Sequence, residues 1–171
     1  MNARLFSLVV VAACASPRAA DNRTDSAVAA PTQAATSTPT TAAPSTRGSD
    51  STLVVYKTPT CGCCKAWVDH MRESGFAVEV HDLGDLTSVK NEAGVPDELR
   101  TCHTARIGGY VVEGHVPAAD VKRLLAERPA VAGIGTPGMP VGSPGMEGIY
   151  RDRYDVITFG GTEKPRVFAS H

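Results

Sequence analysis

The residues best suited to chemistry lie in one short run, Thr58-Pro59-Thr60-Cys61-Gly62-Cys63-Cys64-Lys65-Ala66-Trp67. Thiolate is both a nucleophile and the ligand preferred by soft metals. Cys61 and Cys64 form a C-x-x-C frame, which reads first as a redox dithiol able to close across one helical turn. Cys63 does not fit that reading. Consecutive Cα atoms lie about 3.8 Å apart, short of the ~4.4–6.8 Å a disulfide spans, so a Cys63–Cys64 bridge is not expected. A third thiol therefore calls for another purpose, and Lys65 beside it would favour thiolate.

The surrounding elements must present these thiols. Leu53–Tyr56 is an apolar strand, and Cys64–Ser74 reads as a helix with Trp67, Val68 and Met71 on its inner face and Gly75 as its stop. The thiols thus fall at a strand-to-helix turn, where unpaired N–H groups and the helix dipole favour negative charge. Phe76–His81 alternates as a second strand, and Asp85–Glu92 is a short helix with Leu86 and Val89 facing inward. Val95–Arg100 makes a further helical turn. Two short strands then flank the hairpin signal Gly108-Gly109, and Pro117 opens a helix that stops before Pro129. Residues 132–146, rich in Gly and Pro with Met139 and Met146, read as an irregular loop draped over another surface. Val156–Phe159 is expected to add one edge strand.

The order β-α-β-α-β-β-α resembles a thioredoxin or glutaredoxin fold, here an α/β domain carrying a Gly/Pro/Met-rich C-terminal extension. On that resemblance Thr101-Cys102-His103 takes the place of the glutaredoxin segment Thr-Val-Pro, which packs beside the active-site cysteines. Cys102 is then expected against Cys61, Cys63 and Cys64, with His103 where the family has proline. Four thiols make a soft site. Cu(I) suits it best, because bridging thiolates let several ions share few cysteines. Zn²⁺ in a Cys₄ or Cys₃His site comes next, although C-x-C-C crowds the usual spacing. An iron–sulfur cluster is a further alternative.

The thiol run, Thr101-Cys102-His103-Thr104-Ala105, Val112-Glu113-Gly114-His115-Val116-Pro117 and the segment Pro137–Glu147 together resemble exported bacterial proteins of the CopG copper-resistance type, over about residues 53–160. The resemblance implies a thioredoxin-like domain whose cysteines hold Cu(I) as a multinuclear cluster in periplasmic copper handling, alongside other periplasmic copper-handling proteins. It makes Cys61, Cys63, Cys64 and Cys102 the metal ligands. His103 is a ligand or a hydrogen-bond donor behind one. His115 is a structural residue or one that reaches the site, and Met139 and Met146 are thioether ligands or a lid. His70 and His81 read as surface or capping residues, and His171 as a disordered terminus. The competing function is a thiol–disulfide or copper oxidoreductase using Cys61 and Cys64.

The rest of the chain bears on location. Residues 1–13 carry one positive charge and then an apolar run, the layout of a secretory signal too short to remain as a membrane span. Val11-Ala12-Ala13-Cys14 resembles a lipobox, with Cys14 lipidated. Ordinary cleavage after Ala15 is the alternative. Either route leads out of the cytoplasm, to a periplasmic or cell-envelope location, with the lipid anchor as the only membrane contact. Residues 14–51 are an Ala/Ser/Thr/Pro tether without apolar period, reaching about 30–40 Å as a flexible chain. Residues 52–171 form the folded domain. A formal net charge of −1 gives no electrostatic reason to expect nucleic acid as a partner.

Overall fold

The computed structural model describes residues 51–171. The signal segment, Cys14 and almost all of the tether lie outside the described residues. Within them the chain is mixed α/β, ordered β1 (Thr52–Lys57), α1 (Gly62–Glu73), β2 (Ala77–Asp82), α2 (Thr87–Glu92), a 3₁₀ turn (Asp97–Leu99), β3 (His103–Ile107), β4 (Tyr110–Glu113), α3 (Ala118–Glu127), β5 (Gly133–Gly135), β6 (Asp155–Phe159) and β7 (Val167–Ser170). The seven strands make one sheet in the order β2-β1-β3-β4-β5-β6-β7.

Alternation along the strands splits the core between the two faces of the sheet. Leu53, Val55, Ala105 and Val112 point to one face, where Trp67, Val68 and Met71 of α1 and Val121 and Leu124 of α3 cover them. Val111 and Phe159 point to the other, under Ala93, Val95 and Leu99. Burying an aliphatic or aromatic side chain of this size contributes about 1.5–3 kcal/mol, so the two faces together hold the sheet between its helices. Trp67 is fully buried and donates its indole N–H to the Val116 carbonyl at 2.9 Å, tying α1 to the segment leading into α3.

Two parts of the C-terminal half depart from expectation. The Gly/Pro-rich stretch is not wholly irregular: Gly133–Gly135 pairs in parallel with Val111–Glu113 and becomes β5. Val156–Phe159 is not an edge, because β6 lies between β5 and β7, and the unforeseen β7 takes the edge instead. The Gly-Ile-Gly run of β5 offers too little side chain to show strand periodicity, so its partner strands determine its state.

Register between β1 and β3 positions the site. The two strands run antiparallel with Lys57 opposite His103. Cys102, one residue before His103, therefore arrives beside the turn that follows β1 and leads into α1.

Candidate metal centre

Chain geometry gathers the thiols. After β1 the Cys61 N–H bonds to the Thr58 carbonyl at 3.2 Å, closing a turn. Cys61 then acts as N-cap of α1, its sulfur accepting the Cys64 N–H at 3.3 Å. A cysteine here does the work that Ser or Asp usually does. One turn of helix puts Cys61 and Cys64 on the same side, with Cα atoms 5.3 Å apart, and the two are joined by a disulfide. Cys63 and Cys102 are free thiols, half-buried. Cys63 Sγ lies 3.5 Å from Cys61 Sγ and 3.9 Å from Cys102 Sγ. All four sulfurs lie within 4.8 Å of one another.

A second group shares Cys102. Its sulfur is 3.4 Å from His103 Nδ1 and 3.3 Å from His115 Nε2. His115 Nδ1 lies 2.8 Å from the Pro144 carbonyl, which can only accept, so Nδ1 carries the proton and the Nε2 lone pair faces Cys102. The Cys102 thiol then donates to His115. His103 is fully buried, its ring 4.4 Å from that of Trp67 and edge-on to His115 at 5.1 Å. Burial, then the neighbouring His115 and Lys90, hold His103 well below the usual imidazole range, and burial lowers His115 too. Burial first, and Cys63 second, push the Cys102 thiol up to about 12. Without metal, Cys102 and its two histidines are thus uncharged at neutral pH, and an ion entering must displace the thiol proton.

A strap formed by residues 137–147 crosses this group. Gly145 packs on the backbone of α1, where an added Cβ would stand 2.5 Å from the Cys63 carbonyl oxygen and 2.8 Å from the Trp67 nitrogen. Its conformation, φ +82°, also favours glycine. Met146 follows, half-buried. Met139 is 46 % exposed and lines a surface cleft with Pro137, Pro140, Asp152 and Tyr154, residues outside the thiol group. Of the remaining histidines, His70 accepts the Ala118 N–H at 3.2 Å and so caps α3, while His81 is an exposed residue stacked on Tyr56. His171 corrects the expectation of a disordered terminus: it bonds Asp120 at 2.7 Å and stacks on Tyr154.

Two charged residues beside the site were given no role from the sequence, although Glu113 lies in one of the resembling segments. Glu113 and Lys90 are buried, with Lys90 Nζ 2.6 Å from Glu113 Oε1. The available signal was a carboxylate closing the apolar strand Tyr110-Val111-Val112-Glu113.

These observations define a class: an α/β protein with a sulfur-rich site, built where a strand meets a helix, whose donor set could hold a metal ion. Known proteins narrow it. A family model described as "Protein of unknown function, DUF411" matches residues 99–146. Two solved structures are similar along most of the chain. "Copper resistance protein copG- Form 2" is 44% identical, covering 70% of this chain and 97% of that one, with a TM-score of 0.67. "Copper resistance protein copG- Form 1" is also 44% identical, covering 70% and 96%, with a TM-score of 0.66. No curated protein matches. The chain belongs to the CopG-type copper-resistance family.

Proposed function

We propose that this protein is an extracytoplasmic Cu(I)-binding protein of copper resistance, with copper as its cargo. The observation that carries the reading is the gathering of four cysteine sulfurs within 4.8 Å of one another. Metal–thiolate bonds run about 2.3 Å, so sulfurs this close can share ions, and an all-sulfur set selects a soft one. The donor set fits Cu(I): Cys61, Cys63, Cys64 and Cys102 as thiolates once the Cys61–Cys64 disulfide is reduced, with the His115 lone pair facing the Cys102 sulfur. A multinuclear cluster accommodates several ions on so few ligands. The names of the two similar structures, both copper resistance proteins, support copper over zinc. Met146 beside Gly145 is a lid or thioether donor. The layout of residues 52–127 is read as thioredoxin-like, from the order of its strands and helices.

Export and anchoring rest on the sequence of residues 1–14. On that reading Cys14 holds the protein to a membrane by lipid, the tether lets the domain reach away from it, and copper passes to other periplasmic copper-handling proteins.

Anaerobic reduction of the full-length protein followed by Cu(I) titration and metal analysis tests the proposal. The expected result is tight uptake that falls sharply in Cys102→Ser and in Cys63→Ser. No uptake by the reduced protein, or uptake unchanged in both variants, overturns it.

The Cys61–Cys64 disulfide favours a second reading, a thiol–disulfide or copper oxidoreductase. Closing that bond releases two electrons and two protons from the dithiol, and either an external disulfide or two Cu(II) ions can take the electrons. Turnover that survives loss of Cys63 and Cys102 but not of Cys61 would select this reading.

A further inference from the structure

Glu113 lies at the end of β4, with no solvent exposure. Its carboxylate is spent on a small set of partners. Oε1 accepts from the Thr101 N–H at 2.7 Å, the Thr101 hydroxyl at 3.1 Å and Lys90 Nζ at 2.6 Å, and Oε2 accepts from the Thr104 hydroxyl at 2.6 Å. Lys90 Nζ also donates to the Thr104 hydroxyl at 2.8 Å. Thr101 and Thr104 are the two residues that bracket Cys102-His103. One buried carboxylate thus grips both sides of the dipeptide that brings the fourth sulfur and one imidazole to the site.

The neighbouring residues extend the grip. Gly114 donates its N–H to the His103 carbonyl at 3.2 Å. A Cβ on Gly114 would fall 2.7 Å from the Thr101 hydroxyl, so only glycine lets Thr101 approach this closely. His115 then reaches Cys102 itself. Glu113-Gly114-His115 therefore clasps the Cys102 segment at three successive residues.

Stability alone is a weak reason for this arrangement. A buried ion pair pays heavily in lost hydration and is often no better than an apolar pair of the same volume. It does confer a fixed geometry, because every hydrogen bond must be satisfied at once.

We propose that Glu113, held by Lys90, is the positioning residue for Cys102, fixing its thiol against Cys63 and the Cys61–Cys64 end of α1. The proposal rests on the metal-site reading for its purpose, but its geometry can be tested without metal. A cleft of about 340 Å³, lined in part by Lys90, Thr101 and Cys102, gives a small reagent a path to the Cys102 thiol.

The experiment uses the full chain with its disulfide intact. Iodoacetamide alkylation is followed by tryptic mass spectrometry, which isolates Cys102 in the peptide Thr101–Arg106, and Cys63 serves as the internal reference. Glu113→Gln and Thr104→Val should raise the Cys102 rate severalfold relative to Cys63, because each breaks the clasp on its Thr104 side. Thr104→Ser, which keeps the hydroxyl, should return the ratio to that of the unsubstituted protein. In the reduced protein, Cu(I) affinity in Glu113→Gln should fall by about 10–100-fold, the range typical for residues that orient metal ligands.

Thr104→Val nearly preserves volume, so it decides the matter even if the Glu113 variant does not fold. An unchanged Cys102-to-Cys63 ratio in Thr104→Val, or a parallel rise at both cysteines, overturns the proposal. Failure of the unsubstituted protein to bind Cu(I) would sink the copper-binding reading instead, leaving the alkylation ratio to judge the positioning.

Discussion

Replacing Gly145 by alanine should lift the strap off the candidate metal centre, and the cost can be worked from the contacts. The new Cβ would meet the Cys63 carbonyl oxygen at 2.5 Å and the Trp67 nitrogen at 2.8 Å, both backbone atoms of α1. Ordinary contact begins near 3.4 Å, so the strap must retreat by about 0.9 Å. Alanine in the left-handed region costs about 1–2 kcal/mol by itself. Relieving the overlap costs about 1–3 kcal/mol more. Losing the His115–Pro144 hydrogen bond in the retreat adds about 1 kcal/mol. Gly138 offers the control: its φ of +68° is similar, yet nothing lies within 4 Å of its would-be Cβ. Gly138→Ala should therefore pay only the backbone cost. Thermal unfolding of the two variants should differ by at least ~2 kcal/mol, or about 8 °C for a domain of this size. Copper affinity should fall in Gly145→Ala and hold in Gly138→Ala. Equal melting temperatures would refute the idea that the strap is seated on α1 as described.

Other expectations follow from the same geometry. Because the Cys102 pKa is raised from 9.0 to about 12 by burial and Cys63, the unfolded chain gives up its proton first as pH rises. The stability this thiol contributes is full below pH 9 and is lost as pH climbs toward 12, which denaturant melts of the metal-free protein across that window should show. Reducing the Cys61–Cys64 disulfide opens a loop of only four residues, worth about 2 kcal/mol in the chain-entropy account, so the reduced domain should stay folded with a melting temperature lower by several degrees. Trp67→Phe removes the indole donor to the Val116 carbonyl and should cost about 1–3 kcal/mol in chemical denaturation. Met139→Ala should leave Cu(I) stoichiometry unchanged in the anaerobic titration, since Met139 faces a separate cleft.

What could be read from the sequence was local. The apolar alternation of Leu53–Tyr56 and the helical spacing of Trp67, Val68 and Met71 mark their elements, because side-chain burial repeats with the period of the backbone. The Cys61/Cys64 spacing likewise sets two sulfurs on one side of a helical turn, wherever that helix packs. The short strand β5 carries no such pattern, and β7 went unread, so pairing with neighbours decided both.

The candidate metal centre combines both kinds of information. Sequence determined the thiols, their crowding and the placement of Cys61 at a helix N-terminus. The fold resemblance already brought Cys102 to the other thiols; tertiary structure decided how, and the rest: that Lys57 pairs with His103 and so sets Cys102 in place, that His115 turns its lone pair toward that sulfur, and that Gly145 lets the strap rest on Cys63. It also buried Lys90 and Glu113, charges that a sequence presents as surface until a fold supplies each with the other. The reason is range: periodicity acts over a few residues, whereas register, burial and hydrogen-bond partners join residues that only the folded sheet brings together.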